Sequence, residues 1–386
     1  MRIGIIGYGR RMRGLLRMVA EFHSGVVVAA IADPNIESIK DELARDGRPV
    51  PDCPTFSGAD EMLDSVDLDA CMVGTRCSLH APMAVKVLKR ALPLYLEKPI
   101  ATNRKDLEAL AAAGRRLSRK VVVSFPLRVS PLVQAAKEII ESGKIGSVEN
   151  VNAWCDPPYA AVYFRDWYRD ENETGGLWLQ KATHDFDYIT YLVNSKPKRV
   201  AAMMSKRVFK GKRPAGLKCR DCGDWQECLE SPLHIFYSRG ESQAVEENDY
   251  SCMFGKDTGN EDAGQAIVEF ANGVQASYSQ NFMVRKAAGR RGARLYGYKG
   301  TIHFDWYTDE LKVFMHHSPR IETHKIDSSA LSHAGGDTVL IWNFIQVANG
   351  EGESLSPLEA GITSVNLCLA ARESSRSGRF VEIKPV

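Results

Sequence analysis

The sequence has no long apolar run, no repeat and no low-complexity segment. About 20 consecutive apolar residues are needed to cross a bilayer, so the sequence predicts no transmembrane helix. The strand-like segment Arg2 to Ile6 comes first, without the charged and then hydrophobic regions of a secretory signal. We therefore expect a cytoplasmic protein that does not bind a membrane.

Charge is nearly balanced over the 386 residues, with a formal net charge of +2. Proteins that bind nucleic acid usually carry a basic patch, often interleaved with aromatic residues. Short basic clusters such as Arg290-Arg291 lack that interleaving, so we do not expect nucleic acid as a partner. The hydrophobic share of 44% and the charged share of 25% are typical of a globular protein. The length favours two domains.

Two patterns of secondary structure follow one another along the chain. In residues 1–125, short buried strands alternate with helices, which predicts an α/β Rossmann domain with a doubly wound parallel sheet. In residues 126–386 strands outnumber helices, which predicts an α+β substrate-binding domain with a large, mostly antiparallel sheet. Residues 210–260, rich in glycine, cysteine and charge, are predicted to be an excursion from that sheet.

A glycine-containing turn follows the first predicted strand. Gly7 permits a tight turn, Gly9 lets the backbone approach a pyrophosphate, and the following helix provides amide donors and a favourable dipole. Met12 occupies the third position of this fingerprint, where glycine or alanine is usual. Asp33 ends the second predicted strand, where a carboxylate binds the adenosine ribose hydroxyls and repels a 2′-phosphate. These residues predict NAD as the cofactor, with NADP disfavoured.

Several motifs give the sequence a family resemblance. In chain order they are Leu96-Glu97-Lys98-Pro99, Ser142-Gly143-Lys144-Ile145-Gly146, the segment from Gly175 to Asp187, Tyr298-Lys299-Gly300-Thr301, and the segment from His333 to Asp337. Together they resemble the Gfo/Idh/MocA family of sugar and cyclitol oxidoreductases. The resemblance extends over nearly the whole chain.

This resemblance implies hydride transfer between NAD and a secondary hydroxyl of a sugar, sugar derivative or cyclitol. Lys98 and His184 are the implied catalytic residues, since a fixed ammonium stabilises a developing alkoxide and an imidazole titrates near neutral pH. Lys181 and Asp187 share the predicted helix face of His184 and are further catalytic candidates. Gln180 stands where the family often has aspartate, while Lys181 matches a branch with a lysine three residues before the histidine.

The remaining predicted contacts lie in loops. The cofactor contacts are Gly7, Gly9, Arg10, Arg11, Asp33, Thr75, His80, Glu97 and Lys98. The substrate contacts are Lys181 and His184 together with Arg165 and Trp167, because aromatic faces and arginine suit a sugar. His80 could equally cap its helix, and the loop around Trp167 could equally be a subunit contact. The expected partners are a small carbohydrate or cyclitol and a second copy of the chain, bound through the C-terminal sheet.

Four of the nine cysteines cluster in the excursion. Cys219 and Cys222 lie close together, Cys228 follows, and Cys252 lies downstream. Four such thiolates are typical of a structural zinc site, which would order a segment of low apolar content. Reduced cysteines without metal, or iron–sulfur ligation, fit the same spacing. Zinc is the predicted metal, in a structural role, because four thiolates leave no open coordination position.

Two other functions stay open beside a plain dehydrogenase. An NAD-dependent glycoside hydrolase or lyase would oxidise the sugar transiently, eliminate the glycosidic bond and return the hydride, with Lys181 as an additional acid–base group. A nucleotide-binding regulator without turnover is the third alternative, and the presence of Lys98 and His184 argues against it. Net accumulation of NADH separates the first two functions.

Overall fold

The structure is a computed structural model that describes residues 1–22, 25–49, 52–165, 167–238, 250–326 and 335–386. His333, from one of the family motifs, lies outside the described residues. Among the described residues, no helix is long and apolar enough to cross a membrane.

A parallel sheet occupies the N-terminal part. Its strands are β1 (Arg2–Ile6), β2 (Val27–Ala32), β3 (Thr55–Phe56), β4 (Ala70–Val73), β5 (Leu94–Leu96) and β6 (Val121–Val123). The helices between them are α1 (Arg10–Phe22), α2 (Ile36–Arg45), α3 (Ala59–Ser65), α4 (His80–Lys89) and α5 (Arg104–Gly114). The spatial order β3-β2-β1-β4-β5-β6 reverses between β1 and β4, where ligands bind at the carboxyl ends of the strands. The predicted doubly wound parallel sheet is confirmed.

A nine-stranded sheet dominates the C-terminal part. Its strands are β7 (Val148–Asp156), β8 (Pro197–Ser205), β9 (Ala263–Phe270), β10 (Gln275–Asn281), β11 (Arg290–Gly297), β12 (Gly300–Asp305), β13 (Glu310–Met315), β14 (Ile321–Lys325) and β15 (Val381–Glu382). The spatial order is β14-β13-β12-β11-β7-β10-β9-β8-β15. β7 and β10 are parallel and the other neighbours are antiparallel, which confirms the predicted mostly antiparallel sheet.

Helices cover one face of this sheet. The helices of the C-terminal part are α6 (Pro131–Glu141), α7 (Val162–Arg165), α8 (Glu171–Thr174), α9 (Leu177–Gln180), α10 (Ala182–Val193), α11 (Pro232–Ser238), α12 (Gly336–Asn349) and α13 (Leu358–Ser377). α10 and α13 contact the sheet and each other. Burial alternates along β9 and β10, as expected for strands with one covered face. Met203, Ile267 and Ile321 are exposed, and self-association through this sheet stays a prediction.

The C-terminal part of the chain also returns to the first sheet. Leu340 and Phe344 of α12 belong to one buried apolar cluster with Ile3 and Ile5 of β1. Phe344 meets Tyr95 of β5 edge-on, with 5.7 Å between the ring centroids. α12 therefore completes the core beneath the parallel strands.

Candidate active site

The glycine turn after β1 has the geometry that a dinucleotide needs. Gly7 has a φ of +87°, and a Cβ on it would lie 2.7 Å from the backbone nitrogen of Thr75, so a larger residue would be strained and crowded. A Cβ on Gly9 would meet no heavy atom within 4 Å, which leaves room for a ligand beside the backbone. α1 begins directly afterwards at Arg10, with its amide donors at this edge.

Asp33 lies at the carboxyl end of β2 and faces this turn. Its carboxylate accepts hydrogen bonds from the backbone nitrogens of Tyr8 and Asn35, each at 2.8 Å. These two hydrogen bonds fix the position of the Asp33 carboxylate, and only 9% of the residue is exposed. The residues of this edge fit a dinucleotide with its pyrophosphate at the turn and its ribose at Asp33.

Arg11 and Glu97, two predicted cofactor contacts, bind each other instead. The Arg11 guanidinium donates to Glu97 at 2.8 Å and to both carboxylate oxygens of Asp337 at 2.6 and 2.7 Å. Ser124 also donates to Glu97, at 3.0 Å. Burial opposes ionisation of Glu97, but Arg11 holds its pKa below the ordinary value. The pair joins α1, the end of β5 and α12, while Arg10 is exposed at the start of α1.

Lys98 follows β5 and reaches across to α9. Its ammonium donates to the backbone oxygen of Gln180 at 2.8 Å and to the side-chain oxygen of the same residue at 3.1 Å. Burial lowers the pKa of Lys98 to about 8, and the charge of Lys181 adds to that shift. Lys98 therefore connects the parallel sheet to the segment that carries the other predicted catalytic residues.

His184 lies in the first turn of α10 and is 4% exposed. Its ring meets Phe125 edge-on, with 5.9 Å between the centroids. Phe125 follows β6, and β6 pairs with β5 through Leu96 and Val123. Lys98 and His184 thus both lie at the carboxyl edge of the parallel sheet, and their catalytic roles stay predictions.

Lys181 lies between α9 and α10, one residue before the helix that holds His184. Its ammonium donates to the hydroxyl of Tyr159 at 2.6 Å. Lys181 is 4% exposed, whereas its partner Tyr159 is 52% exposed, so solvent reaches the tyrosine but hardly the lysine. The predicted shared helix face of Lys181 and His184 is therefore replaced by a junction between two helices.

Family models match both parts of the chain. The model described as "Oxidoreductase family, NAD-binding Rossmann fold" matches residues 1–125, and "Oxidoreductase family, C-terminal alpha/beta domain" matches residues 137–383. The chain belongs to the Gfo/Idh/MocA oxidoreductase family. The predicted resemblance and the predicted enzyme class are confirmed.

Relatives and solved structures agree with this membership. The oxidoreductase YteT of Bacillus subtilis is 28% identical over 75% of this chain and 75% of its own length. The myo-inositol 2-dehydrogenase of Thermotoga maritima is 22% identical over 82% of this chain and 87% of its own. A levoglucosan dehydrogenase in complex with NADH and L-sorbose superposes with a TM-score of 0.77, at 20% identity over 100% of this chain and 99% of its own. That likeness shows a shared fold.

Asp187, a predicted catalytic candidate, pairs with an arginine in this Gfo/Idh/MocA protein. Its carboxylate accepts three hydrogen bonds from Arg128, between 2.6 and 3.2 Å. Burial raises the pKa of Asp187, and Arg128 partly offsets that rise. Arg128 precedes α6 and is itself largely buried. The Asp187 carboxylate is therefore engaged in a buried ion pair that joins α10 to the segment before α6.

Thr75 and His80 lie in the connection between β4 and α4, with His80 as the first residue of that helix. His80 is 2% exposed, and its ring nitrogens lie 2.8 Å from the oxygen of Pro99 and 3.1 Å from the oxygen of Thr75. Burial lowers the pKa of His80. The ring links the loops after β4 and β5, and the predicted cofactor contact of His80 stays a prediction.

The two loop residues predicted to bind substrate have separate positions. Arg165 pairs with Glu230 at 3.6 Å and donates to the Met253 sulfur at 3.2 Å, so it anchors the excursion. Its predicted contact with the substrate stays a prediction. Trp167 stacks on Tyr168 at 3.9 Å, and the exposed Arg76 guanidinium lies 4.0 Å from the Trp167 ring. Trp167 therefore lies beside the loop after β4.

Glu261 is a site residue that the sequence did not reveal. Its carboxylate accepts hydrogen bonds from the backbone nitrogens of Leu177 at 3.1 Å and Trp178 at 2.8 Å. These are the first residues of α9, so Glu261 caps the helix whose other end binds Lys98. A Cβ on Gly176 would lie 3.1 Å from this carboxylate, which accounts for the glycine. No rule of residue spacing connects Glu261 with Leu177, which lies 84 residues away. Gly175 and Gly176, in contrast, belong to a motif that was recognised in the sequence.

The predicted zinc site has no support in the structure. Within the described ranges, no group of three or more His, Cys, Asp or Glu side chains is placed to hold a metal ion. The cysteines of the cluster are free thiols: Cys219, Cys222, Cys228 and Cys252. The excursion has apolar contacts instead, since Met253 joins a buried cluster with Phe164 and Phe282, and Phe254 packs against that cluster. That apolar content was underestimated from the sequence.

Proposed function

We propose that the chain is an NAD-dependent dehydrogenase of a secondary hydroxyl on a sugar, sugar derivative or cyclitol. The placement of Lys98 and His184 at the carboxyl edge of the Rossmann sheet carries this proposal, because the dinucleotide-fitting turn opens at the same edge. The dehydrogenases of myo-inositol and of levoglucosan among the similar proteins favour the same substrate class.

The two residues divide the work on the hydroxyl. Lys98, held by Gln180, orients the substrate oxygen and stabilises its negative charge as the O–H bond breaks. The His184 imidazole accepts the proton. The carbon–hydrogen bond breaks with its electron pair, a carbonyl forms, and NAD, when bound, supplies the hydride acceptor.

NAD is the proposed form of the cofactor. The buried carboxylate of Asp33 is held by two backbone donors, so it cannot easily turn away from a ribose 2′-phosphate. A phosphate there would face a fixed negative charge. Gly7, Gly9 and Thr75 are the proposed backbone contacts of this cofactor.

Turnover with a panel of sugars, sugar acids, cyclitols and aryl glycosides tests this function. We expect NADH to accumulate with NAD, and both Lys98→Met and His184→Asn to lower kcat/KM by about 10³-fold. NADH binding, measured by fluorescence titration, should stay within about threefold. The exposed Lys105→Met is the matched control, with unchanged turnover. Unimpaired Lys98 and His184 variants would remove these residues from the reaction.

The redox-assisted glycosidase is separated by the same panel. Release of the aglycone without net NADH would replace the dehydrogenase with that second function, since the hydride returns to the sugar. Lys181 would then be tested as its acid–base group. NADH in amounts equal to the sugar consumed supports the dehydrogenase.

A further inference from the structure

Two buried lysines at the active site have no carboxylate partner in the part of the chain that the structure describes. The Lys98 ammonium donates to the two oxygens of Gln180, and the Lys181 ammonium donates to Tyr159. Both of these partners are neutral groups that leave the positive charge uncompensated. A buried charge is costly unless a charge of opposite sign lies beside it.

The carboxylates around the two lysines are already engaged. Asp185 binds Arg291, Asp187 binds Arg128, Glu97 binds Arg11, Asp156 binds Arg290 and Glu173 binds Ser78. The Cys77 thiol near Lys98 does not compensate either, because burial raises its pKa to about 12 and leaves it neutral at physiological pH. Among the described residues, these carboxylates thus pair with arginines or a serine, and none forms an ion pair with Lys98 or Lys181.

Two further features, the N-terminal end of a helix and the cofactor ring, add positive electrostatic potential at the same place. Lys181 precedes the first residue of α10, a helix of 12 residues, and a cation at a helix N-terminus is unfavourable with respect to the helix dipole. The oxidised nicotinamide ring, whose place beside Lys98 rests on the proposed function, is itself cationic. Before the substrate binds, the cleft thus has an excess of positive charge, which a neutral sugar would not compensate.

We propose that the substrate is an anionic sugar whose carboxylate or phosphate binds Lys181 and Tyr159, while Lys98 attends to the reacting hydroxyl. Tyr159 accepts a hydrogen bond from Lys181, so its own hydroxyl proton stays available for an oxygen of the ligand. The ring of Tyr159 is half exposed, which gives the ligand access to this pair. A negative group there would be held by an ammonium and a phenol donor in a partly buried position, where charge-assisted bonds are strong.

Matched ligands that differ at one carbon test the proposal. Glucose, glucuronate and glucose 6-phosphate, and the galactose and mannose series, are titrated by calorimetry into the protein with and without saturating NADH. The acid or the phosphate of at least one series should bind about 10- to 100-fold more tightly than its neutral member. The two anionic arms show which group the site prefers.

Variants then locate the selectivity. Lys181→Met should bring the anion-to-neutral affinity ratio close to one, Lys181→Arg should retain most of it, and Tyr159→Phe should lower it by about tenfold or less. Lys105→Met, on the exposed surface of α5, should leave the ratio unchanged. Circular dichroism and NADH affinity verify that each variant is folded.

The outcomes are separable from those of the proposed function. Neutral sugars that bind as tightly as their anionic counterparts would overturn the anionic substrate, even if they are oxidised rapidly. A ratio that survives Lys181→Met would overturn the assignment to Lys181. Anion-selective binding without any NADH formation would support the inference and refute the dehydrogenase.

Discussion

Two neighbouring regions around α10 treat charge in opposite ways. Along the helix, Asp185 and Asp187 neutralise Arg291 and Arg128 through two or more hydrogen bonds each. At its N-terminal end, the Lys181 ammonium donates only to a neutral phenol. The two buried arginines packed against α10 thus have carboxylate counterions, whereas no carboxylate among the described residues pairs with Lys181. We propose that this difference separates residues that hold the fold together from a residue that serves a ligand.

Breaking a structural pair should have the largest effect on stability. Asp187→Asn leaves the buried Arg128 charge uncompensated, so the free energy of unfolding should fall by about 3–5 kcal/mol. Denaturant unfolding measures this change. The Arg128→Met, Asp187→Leu double variant should recover most of the loss, because no isolated charge remains.

The kinetics of the same variant decide between the two roles of Asp187. Turnover per folded molecule should stay within about threefold of the parent, as a structural residue requires. Normal stability together with a loss of kcat of about 100-fold or more would place Asp187 in the reaction, as first predicted from its spacing.

The charge of Lys98 should give activity and stability opposite pH dependences. Its pKa of about 8 means that kcat/KM should fall by about tenfold per pH unit above that value, as the ammonium is lost. Between about 8 and the ordinary 10.5, the folded state binds fewer protons than the unfolded state, so this residue makes stability rise with pH.

Rate profiles and thermal unfolding across this range check both directions. Lys98→Arg keeps its charge at high pH, so the alkaline loss of its residual activity should disappear. Lys98→Met should remove this residue's contribution to the pH dependence of stability. A wild-type rate that is constant above pH 8 would show that the ammonium is not required.

Asp33 provides a smaller test on the cofactor side. Asp33→Ser removes the charge facing the expected 2′-phosphate, so the ratio of NADPH to NADH affinity should rise by about tenfold, which corresponds to ~1.4 kcal/mol. Fluorescence titration with both cofactors measures the ratio. Asp41→Ser, on the exposed surface of α2, is the control. Equal binding of both cofactors by the parent protein would show that Asp33 does not face the ribose.

The smallest effect is expected for an exposed ion pair. Lys196 and Glu359 lie 3.0 Å apart, with 80% and 64% of their side chains exposed. Because solvent screens this pair, Lys196→Ala should change the free energy of unfolding by no more than about 0.5 kcal/mol. A loss comparable with that of Asp187→Asn would mean that burial is not what distinguishes the pairs.

Features with a local signature were predictable from the sequence. Alternating strands and helices predicted the parallel sheet, and an excess of strands predicted the mostly antiparallel sheet. The Gly7-Tyr8-Gly9 turn with Asp33 predicted the edge that fits a dinucleotide. The motifs around Lys98 and His184 gave the meeting of two distant segments. Each of these features depends on residue spacing within one stretch of chain, or on an ordered set of motifs.

Pairings between distant side chains were not predictable. Asp187 shares a helix with His184, yet its partner Arg128 lies 59 residues away. Tyr159 and Glu261 belong to loops without a motif, although they contact Lys181 and α9 directly. The prediction of a metal, made from the cysteine spacing, overlooked Met253 of the excursion, because its apolar partners come from other segments of the chain.

The return of α12 to the first sheet makes the cofactor domain depend on the end of the chain. Phe344 packs on Tyr95, and it shares one buried apolar cluster with Leu340, Ile3 and Ile5, so removing α12 would uncover part of that cluster. A ribosome must therefore release most of the polypeptide before the first strands acquire their complete core. A separately expressed N-terminal half would expose an apolar surface that promotes aggregation. A functional chimera of this fold would have to exchange residues 336–349 together with the nucleotide-binding half.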